Sequence, residues 1–531
     1  MCFYASRIGC CVTTALTQTK AVKAARPPFV SRRAIGAARI REIFYYKEKN
    51  IMQEWLLKVV QTINAYLSDY VLILLLVGVG IWYTVHTKCV QVRCFGQGMK
   101  NVFSNVKLNG KKGKSGMTSF QALATAVAGQ VGTGNIIGAS GAILLGGPGA
   151  IFWMWIIAFL GMATIYAEAV LAQKTRVVSE DGSVAGGPVY YIKKAFPNKF
   201  GKFLAGFFAV ASVIALGFIG AMVQSNSIGE AVSNATNGFI PTWAVGVVLV
   251  LVCGFIFIGG VSRIASVSEK VVPVMAVLYI VGGLIVIFAR VTFIPECFAM
   301  IFRYAFQPQA VIGGSVGYAI KTAISQGAKR GLFSNEAGMG STPHAHAQAN
   351  VKTAHEQGTV AIASVFIDTF VVLTFTALIV ISTLYAGNGV LMQGNPDNLS
   401  KSVLVANGFA VAFGGGNTAL TIGSVFVAVC LVFFAFSTII SWNLFGKINF
   451  EHLFGKKGTL IYFIVALVFI MLGSVFQNDL VWELTDFFNY LMVLPNVVAL
   501  FALTKLVKQE VKENSGKPLY KPQEKDEEKA A

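Results

Sequence analysis

The chain has 531 residues, of which 55% are apolar and only 13% charged, with 54 glycines. Soluble domains carry roughly a quarter charged residues, and the stretches 115–167 and 402–446 contain no Asp, Glu, Lys or Arg at all. This excludes a soluble enzyme, a disordered chain, a disulfide scaffold and a porin-type barrel, whose strands alternate. The net charge of +19 sits in loops and tails, so it reads as a topology signal rather than a nucleic-acid footprint.

Residues 1–50 hold ten Lys and Arg against Glu42 and Glu48 and lack the apolar core of a signal peptide. They are read as a doubtful extension, 1–51, with Met52 the natural start. From there the apolar runs predict eleven helices at roughly 70–92, 118–145, 150–173, 203–232, 242–262, 271–292, 310–331, 357–386, 417–446, 459–477 and 487–504. About 20 apolar residues span a bilayer, so this is an all-α polytopic membrane protein. Gly146-Gly147-Pro148-Gly149 separates helices two and three, and Pro241 precedes helix five, as turn chemistry requires. Alternate loops from residue 52 onward carry 27 Lys and Arg on one side and four on the other. Cationic loops stay inside, which predicts a cytoplasmic C-terminus in a cell inner (cytoplasmic) membrane.

Helix two is interrupted by Gly129-Gln130-Val131-Gly132-Thr133-Gly134-Asn135. Glycine costs about 1 kcal/mol in a helix interior, and close packing of small residues does not account for Gln130, Thr133 and Asn135 among them. Freed backbone at this depth must be buried or line a wet gap. The half-helix opening near Gly134 presents N–H groups suited to a carboxylate. Carbonyls released before it, at Ala128 and Val131, suit a hard cation such as sodium.

Helix seven, with Gly313 and Gly314 near its start, ends in a second irregular run through Ser334-Asn335-Glu336-Ala337-Gly338, five spans after the first. An odd offset returns a repeat upside down. Helices 2–6 and 7–11 therefore read as an inverted five-helix repeat with discontinuous helices, the pattern that points to a transporter site. The chain divides into 52–117 (first helix and cytoplasmic loop), 118–292 (first repeat), 310–504 (second repeat) and a cytoplasmic tail at 505–531.

Asp368 falls near mid-bilayer in helix eight, where a carboxylate is by default functional; it is a coupling candidate or is held structurally by Thr369 or a donor on helix seven. Glu168 lies near Lys174 and Arg176 and reads as a structural ion pair. Lys321 either lines a pathway or snorkels to the interface. Ser437, Thr438 and Ser441 on helix nine either bond back within the helix or face the gap. Gln224 and Asn226 belong to a polar patch on helix four that either binds substrate or glues helices together. His344, His346 and His355 fall in an apparent cytoplasmic stretch without recognised metal spacing, and no catalytic constellation argues for an enzyme.

Gly132-Thr133-Gly134-Asn135, Gly146-Gly147-Pro148-Gly149-Ala150, Gly161-Met162-Ala163-Thr164, Gly186-Gly187-Pro188-Val189-Tyr190-Tyr191 and Gly331-Leu332-Phe333-Ser334-Asn335-Glu336-Ala337-Gly338 together resemble the alanine or glycine:cation symporter family, over about residues 60–505. The resemblance implies a leucine-transporter-like fold, sodium as co-transported ion and a small amino acid as cargo. It implies substrate contacts at Gly132, Thr133, Gly134, Gln224 and Asn226, and sodium ligands at Ala128, Val131, Ala435 and Thr438. Proton coupling through Asp368, or a channel or sensor of similar architecture, are the alternatives.

Overall fold

A computed structural model describes residues 54–104, 116–180, 182–307, 316–393, 399–476 and 478–514. The extension 1–51, Gly313, Gly314 and most of the tail lie outside the described residues. Helix one runs through a π-helical turn, Leu67–Leu72, into Ile73–His86. Helix two is Ser119–Gln130 followed, after a break, by Gly134–Gly146. Helices three to six are Gly149–Thr175, Lys199–Ala235, Thr242–Ile258 and Gly260–Ala289. Helix seven is Val316–Asn335, and a short helix Pro343–Gln348 follows its irregular end. Helices eight to eleven are Ala354–Leu384, Asn417–Phe454, Thr459–Gly473 and Asn478–Ala502. Eight helices of the described residues are long and apolar enough to cross a membrane. All eleven predicted spans have a helix in place; helix nine outruns its predicted end by eight residues because no helix breaker precedes Gly455 (φ 77°).

Local chemistry sets the ends. Thr118 accepts from the Gln121 backbone N–H at 3.1 Å while the Gln121 side chain accepts from Thr118 N–H at 3.2 Å, a capping box that starts helix two. Gly147 at φ 71° ends it, and Pro148 opens helix three. Helices five and ten turn Leu251, Phe255, Leu460 and Ile464 outward, a belt that only lipid or a partner can cover. The interior is the reverse: Gln130, Thr133, Asn135, Glu168, Gln224, Glu336 and Asp368 are all buried.

The packing pairs the two repeats. Helices two and seven, three and eight, four and nine, and five and ten each pack on their own counterpart. Some contacts off this diagonal also come in matched sets, three with seven and eight with two, four with ten and nine with five, six with nine and eleven with four, whereas helix two packs on six and nine without an equally strong counterpart at helix seven. An inverted repeat about an axis through the middle of the molecule has this pattern.

Lys321 pairs with Asp69 at 3.2 Å, and Arg330 with Asp486 at 3.1 Å. Lys174 pairs with Glu510 at 2.5 Å, which corrects the expected ion pair with Glu168. Six residues on a helix are about 120° apart, and Glu168 instead faces the second break.

Candidate substrate and cation site

Two interruptions meet at the centre. In helix two the last regular bond is Val131 N–H to Val127 O at 2.7 Å, after which Val131 leaves helical geometry (φ −80°, ψ 89°). Gly132 N–H, which a continuous helix would aim at Ala128 O, donates to the Asn135 side chain at 3.0 Å. Ala128 O is thereby released, and Thr438 Oγ1 on helix nine donates to it at 2.9 Å. Ser437 Oγ reaches the same carbonyl at 3.5 Å. Ala435 is fully buried one turn before Thr438. Thr133 N–H, likewise diverted, donates to Gln224 Oε1 at 3.3 Å. A Cβ on Gly132 would lie 2.4 Å from Thr438 Oγ1 and 3.3 Å from Gln224 Oε1, so these three residues surround one small space. Thr133 Oγ1 and Gln224 Nε2 are buried there without a partner among the described residues, as is Ser441 Oγ three residues beyond Thr438.

One of the expected substrate contacts points elsewhere. Asn226 donates to Gly473 O and Phe476 O, both at 3.1 Å, so it ties helix four to helix ten. Positions 224 and 226 are about 200° apart on a helix and cannot face the same gap. Gly134 keeps its place at the opening of the half-helix and is also closely packed: a Cβ there would stand 3.0 Å from Phe333 and 3.3 Å from Ser334 Cα. It lets helices two and seven approach closely.

Asp368 sits in a π-helical turn, Phe366–Leu373, and is fully buried. Its carboxylate accepts from Asn135 Nδ2 at 2.7 Å, Thr369 Oγ1 at 2.8 Å and Ser334 Oγ at 2.9 Å. These donors are the neighbour and the helix-seven hydroxyl anticipated for a structural role, with Asn135 added. A carboxylate so satisfied is held in place, and it holds Asn135, which in turn holds Gly132 N–H.

The second break is built on left-handed residues, Glu336 at φ 58°, Gly338 at φ 88° and Gly340 at φ 83°. Gln130 Nε2 donates to Asn335 O at 2.8 Å and joins the two breaks. The Glu336 carboxylate accepts from Ser341 Oγ and from Trp442 Nε1 on helix nine. Glu168 accepts from Gly338 N–H at 3.1 Å and Asn496 Nδ2 at 2.6 Å. His344, His346 and His355 are buried rather than in an exposed loop. They bond separately, His346 to Gln357 at 2.8 Å and His355 to Tyr166 at 2.6 Å. Glu336 and Trp442 were not among the expected site residues; the left-handed Glu-x-Gly-x-Gly spacing is the one sequence signal that this segment turns back into the core.

Residues 53–530 match the model of the sodium:alanine symporter family. The chain belongs to that family. Its relatives include the sodium/alanine symporter AgcS of Methanococcus maripaludis, 39% identical over 85% of this chain and 96% of the relative. Two Bacillus subtilis 168 proteins are also similar. YrbD, provisionally named a sodium/proton-dependent alanine carrier, is 39% identical over 84% of this chain and 90% of its own length. GlnT, provisionally named a sodium/glutamine symporter, is 37% identical over 86% and 90%. As a member of the sodium:alanine symporter family the chain is a multi-pass membrane transporter that moves amino acids with a cation, and both breaks lie within the matched region.

Proposed function

We propose that the protein is a sodium-driven importer of alanine or glycine that works by alternating access in the cytoplasmic membrane, with its C-terminus inside. The observation that carries this reading is the released Ala128 carbonyl opposite the Thr438 hydroxyl, beside two unpartnered donors, Thr133 Oγ1 and Gln224 Nε2. Hard oxygens without a charge suit sodium. Ala128 O, Thr438 Oγ1, the Val131 carbonyl and the helix-nine backbone at Ala435 form the cation set. The two donors, with backbone at Gly132, Thr133 and Gly134, take the amino-acid carboxylate at the opening of the half-helix. Phe333 beside Gly134 and Trp442 beside Gly129 flank the break, with ring centroids 5.8 Å apart, and favour a small side chain over the glutamine in the name of one relative.

Proton coupling through Asp368 is the second reading, supported by the proton in the name of YrbD. The three donors on Asp368 favour a positioning role instead. Labelled-alanine uptake into membrane vesicles, with sodium and proton gradients imposed separately, tests both. Uptake driven by sodium alone is expected; uptake that follows only the proton gradient refutes the sodium assignment.

A further inference from the structure

Between the cation site and one end of the molecule runs a line of oxygens that the transport reading leaves unused. A cavity of about 510 Å³ opens at that end, lined by Gln121, Ser183, Ala265, Gln348, Lys447 and Glu451 among others. Gln121 and Ala265 mark where helices two and six enter its wall, and these helices pack on each other. Along helix two, Thr125 and Ala128 follow Gln121 on the same face, so Ala128 lies about 10 Å beyond it at 1.5 Å per residue. Along helix six the buried face continues through Ser268, Glu269 and Val272 to Met275. There Ser437 Oγ, which donates to Phe434 O at 2.8 Å, lies 3.4 Å from Met275 Sδ, so this face ends beside the cation site.

Glu269 stands between the two ends. It is 4% exposed, and Gln121 Nε2 donates to its Oε2 at 2.9 Å. Its Oε1 and the Ser268 hydroxyl, also buried, have no partner among the described residues. Glu269 forms no ion pair among those residues, and Lys447 at the cavity wall is engaged by Glu451 at 3.0 Å. A buried carboxylate without a counter-charge is unfavourable. A passing cation supplies that charge and accepts both free oxygens as ligands.

We propose that Glu269, with Ser268, is a second, transient binding site for a monovalent cation, placed on the path between Ala128 and the cavity. This deepens the reading of Ala128 and Thr438 as the cation site and rests on it. The carboxylate raises the local cation concentration on its own side of the central site, and so acts on one face of the membrane. By the charge asymmetry of the loops that face is cytoplasmic.

Sodium dependence of labelled-alanine flux, measured from each face of the full-length protein, tests this. Whole cells present the outer face and inverted membrane vesicles the inner one. In Glu269→Gln, which keeps the Gln121 bond, the sodium needed for half-maximal flux should rise about tenfold at the inner face and less than about twofold at the outer, as expected for loss of electrostatic focusing. Ser268→Ala should move the inner value in the same direction by a smaller factor, and Glu269→Asp should restore it. An equal rise at both faces, a rise at the outer face alone, or no change in either variant overturns the proposal. Thr438→Val in the same membranes keeps the two readings apart: it should raise the requirement at both faces whatever Glu269 does.

Discussion

Replacing Thr438 by valine tests the cation site most directly. Valine keeps the branched shape and removes one oxygen. Its single proton is shared between Ala128 O at 2.9 Å and Phe434 O at 3.1 Å. The Phe434 carbonyl lies within helix nine, whereas Ala128 O has lost its helical partner to the break, so only the latter is stranded. An unsatisfied buried carbonyl costs about 1–3 kcal/mol, and the loss of one charge-assisted contact to a bound ion is of the same order. At 1.4 kcal/mol per factor of ten, the sodium concentration for half-maximal alanine uptake should rise roughly five- to a hundred-fold. The alanine dependence at saturating sodium should move much less, because no substrate donor is touched. Thr438→Ser keeps the oxygen and should stay near the parent. The assay is initial-rate uptake across a sodium series, normalised to protein in the membrane. Unchanged sodium dependence in the valine variant, or a serine variant as impaired as the valine one, refutes the assignment.

Gln224→Leu removes the unpartnered Nε2 and should raise the half-saturating alanine concentration by roughly tenfold, about the worth of one hydrogen bond to a charged group, with sodium dependence little changed; uptake kinetics at saturating sodium check this. Gly134→Val should abolish transport while the protein still inserts, because its side chain would strike Phe333 and Ser334; wild-type uptake by that variant refutes the close packing of helices two and seven. Asp368→Ala strands donors from Asn135 and Ser334 and should lower stability by on the order of 3 kcal/mol, seen as a fall in the thermal unfolding temperature of the purified protein. Asp368→Asn retains an acceptor for Asn135 and should keep sodium-driven uptake at a reduced rate; loss of the gradient response in this variant, with Thr438→Val unaffected, would move coupling to Asp368.

The spans and the first break are legible in the sequence because both are local. An uncharged run of 45 residues or more leaves few alternatives to the bilayer, and glycines mixed with Gln, Thr and Asn cannot form a regular helix cheaply. The role of Thr438 is half legible: a hydroxyl on helix nine is visible, but the carbonyl it meets is 310 positions away. Glu168 misleads because cations lie close in sequence, and only helical phase shows that Lys174 is on another face. Glu336 is hidden because Lys329 and Arg330 before it and histidines after it look like a wet loop. The left-handed turns at Glu336, Gly338 and Gly340 fold that segment inward, where its partner Trp442 lies more than 100 residues on. Asn226 shows the limit of motif position: it finds the polar residue but not the side of the helix that residue faces.

The bonding around the first break also suggests why substrate and cation movements are linked. Asp368 on helix eight holds Asn135, Asn135 holds Gly132 N–H, and this leaves Ala128 O for Thr438. The availability of one carbonyl in the first repeat is therefore set by a carboxylate in the second. On the proposed assignment the amino acid is gripped by Thr133 and Gln224, both in the first repeat, while the cation bridges Ala128 in the first repeat and Thr438 in the second. A movement of helix two relative to helix nine makes or breaks the cation contact. The ion then acts on the equilibrium between open and closed arrangements rather than on the first encounter with substrate. It shifts that equilibrium only by its difference in affinity for the two, and a single oxygen such as Thr438 Oγ1, present in one arrangement and withdrawn in the other, is enough to supply such a difference.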